Sequence, residues 1–165
     1  MKTIYLLRHA KSSWKDADLS DIDRPLNAKG KKDATMMGKY FFKKRVRPEL
    51  IVSSPAKRAF KTASIVAEEL EYGEKNIHID MRLYGANTDL LFEILQQLEN
   101  NLQRVMLVGH NPAFTNVIEL LTGASIDNLP TCGMARIDFD TKKWNLIKAQ
   151  KGQLKMLDYP KKILK

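Results

Sequence analysis

Five short runs of mostly apolar residues, at Thr3–Leu7, Leu50–Ser53, Ile77–Asp80, Arg104–Val108 and Met134–Phe139, set the terms for any fold of this chain. Several are apolar at consecutive rather than alternate positions, the pattern of strands buried on both faces. Helical patterns fill the gaps. Ala34, Met37, Gly38 and Phe41 recur at helical spacing after Asn27, a suitable N-cap, and Ala59, Ala63, Val66, Ala67 and Leu70 do the same. Leu91, Ile94, Leu95 and Leu98 follow, started by Thr88 or Asp89, and a further helix is expected from near Phe114 to Leu121, closed by Gly123. This alternation predicts an α/β fold, a three-layer α/β/α sandwich around a mostly parallel sheet. Trp144–Gln150 reads as one more strand, joined to Met134–Phe139 through "DTKK" in a hairpin-like connection, so one edge should be antiparallel.

The 165 residues contain no internal repeat, linker or low-complexity segment, and are expected to form a single domain over 1–165. No apolar run approaches the roughly 18–20 residues that span a bilayer. The start, "MKTIYLL", is charged too early and is too short for a secretory signal. The single Cys132 has no partner for an internal disulfide, so a reducing cytoplasm is the expected location. The formal charge of +9 allows nucleic acid, an acidic partner or an anionic substrate. However, the densest basic stretch, Lys142 to Lys165, lacks the interleaved aromatics of a base-stacking platform. It reads as a solvated surface, which argues against nucleic acid as the partner.

Chemistry gathers where the apolar runs end, which is where open α/β sheets bind ligands. Arg8 and His9 follow "TIYLL"; "SSPAKRAFKTA" follows "LIV" and carries Arg58 in a first helical turn; "GHNP", with His110, follows "RVMLV". Arginine presents a fork of donors matched to phosphate oxygens. The helix start after Ser54–Pro55 would add free N–H groups for an anion. A neutral imidazole can attack phosphorus and carry the phosphoryl group, while a second imidazole donates to a phosphate oxygen as charge builds. Taken singly, each residue has a structural alternative: Arg58 on a helix surface, His110 capping a turn. Their equivalent places on separate strands favour a shared phosphate pocket. His78, in "NIHID", reads as an ordinary strand residue. The chain has no G-x-S-x-G elbow and no G-x-x-x-x-G-K-[ST] loop, and its one cysteine and scattered histidines do not suit a zinc site.

On these residues the chain resembles the histidine phosphatase superfamily, with its phosphoglycerate mutase-like fold. "LLRHAKSSW" is similar to that family's Arg-His-Gly signature. "SSPAKRAFKTA" is similar to its Ser-Pro-x-x-Arg-Ala-x-x-Thr-Ala motif, and "VGHNP" to its third motif. Order and spacing agree along nearly the whole chain. The short length and "DIDRPLNAKG" resemble the small phosphohistidine phosphatases of the SixA-like branch, which have a minimal core without long insertions.

The resemblance implies His9 as nucleophile, with Arg8, Arg58 and His110 binding the phosphate and no metal or other cofactor. It implies further phosphate or substrate contacts at Arg24, Ser12 and Lys15. Their alternatives are an ion pair of Arg24 with Asp21 or Asp23, a turn cap at Ser12 and an exposed Lys15. Ala10 stands where the family has glycine, and Lys11 where an acidic residue often follows. No residue matches the family's general acid. "DMRLYGANTDLLFEI" offers Asp80, Asp89 and Glu93, none aligned for the role. A poor leaving group such as an alkoxide needs that acid more than a phosphoramidate does. The expected activity is therefore a phosphatase acting through a phosphohistidine intermediate, on phosphohistidine in a protein. The alternatives are a small-molecule phosphomonoesterase or mutase of the same fold, or a non-catalytic module that binds phosphate or nucleic acid.

Overall fold

A computed structural model describes residues 1–164. Among them six strands form one sheet: β1 (Lys2–Arg8), β2 (Leu50–Ser53), β3 (His78–Ile79), β4 (Arg104–Gly109), β5 (Met134–Phe139) and β6 (Gln153–Asp158). The sheet order is β3-β2-β4-β1-β5-β6. The first four strands in that order run parallel, β5 is antiparallel to β1, and β6 is antiparallel to β5. The expected parallel sheet with an antiparallel edge is thus the observed one.

Consecutive apolar residues bury both faces. Along β1, Tyr5 and Leu7 join one cluster and Ile4 and Leu6 the other. The first face is covered by α1 (Ala28–Lys43) and α2 (Lys57–Glu69), through Met37, Phe41, Ala63 and Val66. The second is covered by α3 (Thr88–Gln96) and α4 (Ala113–Thr122), through Leu91, Leu95, Val117 and Leu121. A short α5 (Pro160–Ile163) adds Ile163 to the α1 side. Full burial of each such side chain contributes about 1.5–3 kcal/mol, which is why two covered faces hold the sheet. Among the described residues no helix is long and apolar enough to cross a membrane.

Cap chemistry follows the sequence with one exception. The Asn27 side chain accepts from Gly30 N at 2.7 Å, and Gly123 closes α4 in the left-handed region at φ 73°. Helix α3 is capped by Asn87, whose side chain accepts from Leu90 N, rather than by Thr88 or Asp89.

The expected last strand requires correction. Trp144–Leu146 forms a 3₁₀ turn, and the sixth strand lies later, at Gln153–Asp158. "DTKK" therefore opens a longer loop, from Asp140 to Gly152, and the two strands it joins are still antiparallel neighbours. Trp144 is fully buried, with its indole N–H donating to Leu102 O at 2.8 Å. Its apolar character marks an anchored turn, which an apolar run alone cannot distinguish from a strand.

The order β2-β4-β1 places side by side the three strands that carry the chemistry. Register keeps their ends level: Ser53 pairs with Val108, and Arg8 with Gly109. Because β5 runs the other way, the turn leading into it lies over the same end.

Candidate active site

His9 is fixed by its backbone before its side chain is considered. Its N–H donates to Gly109 O, and the N–H of Arg8 donates to Gly133 O, both at 3.0 Å. The Cys132 amide returns to the carbonyls of Arg8 and His9, each at 3.1 Å, from a backbone in the left-handed region at φ 60°. Ala10 N donates to Thr62 Oγ1, whose hydroxyl in turn donates to Arg58 O. The end of β1 is thereby tied to β4, to α2 and to the turn before β5.

The His9 ring is 9% exposed, and its Nδ1 lies 2.7 Å from Ala10 O. A carbonyl only accepts, so Nδ1 carries the proton and Nε2 holds the lone pair. Burial, followed by the nearby His110, Arg58 and Arg8, pushes the His9 pKa down to about 3. The ring is neutral at physiological pH, as a nucleophile must be. His110 lies with its ring centroid 5.2 Å from that of His9. Burial, then Arg58 and Arg8, pushes its pKa down to about 4. Its Nε2 sits 2.8 Å from Ser54 Oγ, which also accepts from Ala56 N. Ser54 Oγ already accepts from the Ala56 amide, so its hydroxyl hydrogen has Nε2 as its acceptor, which leaves Nδ1–H as the donor that His110 has to offer.

Two guanidiniums complete the group. Arg8 Nη1 donates to Leu129 O at 2.9 Å, while its Nε is buried without a partner among the described residues. A buried N–H left unpaired costs about 1–3 kcal/mol, so this one marks where an acceptor belongs. Arg58 Nη1 donates to Asp21 O at 2.7 Å, and Nη2 to Asp21 Oδ2 at 3.0 Å. Arg58 reaches the site by its side chain. Of the helix start, Pro55 and Lys57 line a separate cavity.

Arg8, His9 and Arg58 are shared by two lobes. The larger, of about 590 Å³, continues past Tyr84, Asn87, His110 and Asn111. The smaller, of about 350 Å³, continues past Lys11, Ser12, Trp14 and Arg24. Arg24 makes the ion pair weighed for it and also faces the site. It lines the smaller lobe, and it pairs with Asp21 Oδ1 at 2.9 Å, while Asp23 takes Ser20 instead. Its Nη2 also meets Ser12 Oγ, and its guanidinium lies over the Trp14 ring, 3.2 Å from the centroid. Lys15 is exposed and lines neither lobe.

Asp80, Asp89 and Glu93 also line neither lobe; Asp80 is taken up by Arg82 at 2.8 Å. The carboxylate facing the site is Asp21, which the sequence suggested only as an ion-pair partner. Tyr84 Oη donates to its Oδ2 at 2.6 Å, and that bond, with those from Arg58 and Arg24, holds Asp21 well below the usual carboxylate range. Tyr84 had no sequence signal, and Ser54 entered only as part of the Ser-Pro motif, with no role of its own. The arrangement can cradle a tetrahedral anion between two guanidiniums and a donor imidazole, with a lone pair aimed into the same space.

Comparison with known proteins gives a consistent picture. A family model for the histidine phosphatase superfamily (branch 1) matches residues 4–88. An uncharacterized chloroplastic protein of Arabidopsis thaliana is 31% identical over 151 residues, covering 87% of this chain and 69% of that protein. Among solved structures, a protein from Agrobacterium tumefaciens assigned as the phosphohistidine phosphatase SixA has a TM-score of 0.83 at 28% identity, covering 96% of this chain and 98% of its own. The protein histidine phosphatase SixA in complex with tungstate also reaches 0.83, at 22% identity and 99% coverage of both chains.

Proposed function

The chain belongs to the histidine phosphatase superfamily, and on that premise we propose that it hydrolyses phosphoryl groups through a covalent phosphohistidine at His9, with phosphohistidine in a protein as substrate. One observation carries this reading. His9 Nδ1 is committed to Ala10 O, so the lone pair sits on Nε2 of a ring kept neutral beside Arg8 and Arg58.

In the proposed reaction Nε2 attacks phosphorus in line and the bond to the leaving nitrogen breaks. Arg8 Nε–H, the outer N–H groups of Arg58 and His110 Nδ1–H neutralise the three non-bridging oxygens as charge gathers on them. Water then attacks the phosphoenzyme and returns His9 to its neutral form. No step draws on a metal, because the guanidiniums supply the positive charge.

The state of Asp21 supports the choice of substrate. Held ionised by Tyr84, Arg58 and Arg24, it has no proton to give an alkoxide. A phosphohistidine imidazole leaves as a neutral ring once solvent has protonated it, so it asks less of a resident acid. The fold shared with SixA phosphatases points the same way.

The test is direct. The protein incubated with a 32P-phosphohistidine protein should release phosphate and show acid-labile label that is lost in His9→Ala, and tungstate should inhibit. Turnover surviving in His9→Ala would end the covalent mechanism. Faster hydrolysis of sugar phosphates than of phosphohistidine would end the substrate assignment.

A further inference from the structure

The two lobes that meet at His9 differ in charge. Beyond the shared Arg8, His9 and Arg58, the larger is lined by His110, neutral polar and apolar side chains and Asp21, with no lysine among the described residues. The smaller adds Lys11 and Arg24, with no carboxylate among the described residues. It does not end there. Lys11 and Thr131 also line a further groove of about 370 Å³, which runs past Lys29 and Lys161 to the C-terminal helix. Asp33 in this groove is paired with Lys29 at 3.3 Å. Lys11 and Lys161 have no carboxylate partner among the described residues.

The ends of this strip are apolar and exposed. Trp14, at the mouth of the smaller lobe, is 76% exposed, and Leu164, at the far end, is 65% exposed. An exposed tryptophan stacked on an arginine, with charged residues beyond it, has the make-up of a protein-recognition anchor. The buried Arg24 of the smaller lobe is already engaged by Asp21, the Ser13 carbonyl and Ser12, so it does not offer a free fork to a second phosphate. Exposed lysines on flexible stems suit the spread-out carboxylates of a protein surface better.

We propose that the strip from Trp14 through Lys11 and Lys161 to Leu164 is a docking surface for an acidic protein face beside the phosphorylated residue. It rests on the phosphohistidine-protein reading above and specifies which side of the partner faces which side of the site. Acidic residues flanking the phosphohistidine lie over Lys11 and Lys161, and an apolar partner side chain meets Trp14.

Two chemically phosphorylated histidine peptides of equal length test this, one flanked by Glu and Asp and one by Ser and Gly. The quantity read is the ratio of their kcat/KM values, at low and at moderate salt. The native protein should favour the acidic peptide by about tenfold at low salt, less at moderate salt. In Lys11→Gln/Lys161→Gln the ratio should fall toward one. In Lys57→Gln/Lys61→Gln, which removes the same charge from a cavity sharing no lining residue with the strip, it should persist. Equal rates on both peptides in the native protein would overturn the strip and leave the phosphohistidine reading standing. An equal fall in both double variants would overturn it in favour of diffuse attraction by the net charge. Hydrolysis of para-nitrophenyl phosphate with neither peptide touched would overturn the substrate reading and the strip with it.

Discussion

Arg58 closes on Asp21 through both terminal nitrogens, one on the backbone carbonyl and one on the carboxylate, so a substrate phosphate meets an arginine that already has an anion. The Asp21 carboxylate also holds Arg24 and Tyr84, and its side chain is about half exposed, at 49%.

Asp21→Asn should therefore tighten the binding of inorganic phosphate. The carbonyl contact to Arg58 stays, while the competing charge goes. Solvent screening at a half-exposed carboxylate limits the gain to about fivefold, under roughly 1 kcal/mol. Competitive inhibition by phosphate measures it. A weaker inhibition constant would mean that the carboxylate sets the posture of Arg58 and does not compete.

Acid should destabilise the fold through the two histidines of the site. His9 and His110 have native pKa values near 3 and 4, whereas an unfolded histidine protonates at about 6.5. Between about 6.5 and 4 the unfolded chain binds protons that the native chain does not. Stability therefore falls with pH in that window, by about 1.4 kcal/mol per unit for each histidine. Asp21, depressed instead, adds its own loss below about 4. Urea unfolding at pH 7, 6 and 5 should show the slope, and His9→Gln/His110→Gln should flatten it. A flat native profile over that range would show that the two rings protonate normally.

Much of this was legible because it depends on periodicity and on strand ends. Runs such as "IYLL" read as buried strands, and the chain order alone put Arg8, His9, Arg58 and His110 at carboxyl ends. The sequence could not show that β2, β4 and β1 are neighbours with level ends, which is what brings those four together. Trp144 misled because apolar content does not separate a strand from an anchored turn. Tyr84 stayed hidden, as did the contacts of Asp21 with Arg58 and of Ser54 with His110, because these reach across 63, 37 and 56 positions of chain, where no spacing rule applies.

Gly30→Ala should damage the site from a helix. Replacing a glycine Cα hydrogen by methyl inside a helix usually stabilises by up to about 1 kcal/mol. Here the added carbon would run into the Lys11 carbonyl, which is itself held to the helix start by the Asn27 N–H at 3.0 Å. Neither backbone can yield without moving the loop that follows His9. A net loss of about 1–3 kcal/mol is expected, with at least a several-fold lower kcat/KM on any phosphate substrate. Denaturant unfolding and steady-state kinetics on one preparation check both. Unchanged activity in a destabilised protein would show that the loop absorbs the shift without disturbing His9.

Ser54→Ala should separate catalysis from binding. The Ser54 hydroxyl is fully buried between the Ala56 amide and His110 Nε2. Without it the ring loses the partner that fixes its proton on Nδ1, and a tautomer with an acceptor facing the phosphate becomes accessible. Losing a transition-state donor outright costs on the order of 10²–10³ in kcat. Losing only its orientation should cost about tenfold, with KM changed much less, because Arg8 and Arg58 still hold the ground-state phosphate. Ser54→Thr keeps the hydroxyl and should restore part of kcat, provided its extra methyl is tolerated at a fully buried position. Imidazole 15N shifts of His110 should report the tautomer change in Ser54→Ala. A loss appearing in KM, or with the Nδ1–H signal intact, would assign Ser54 to the packing of the helix start and not to the orientation of His110.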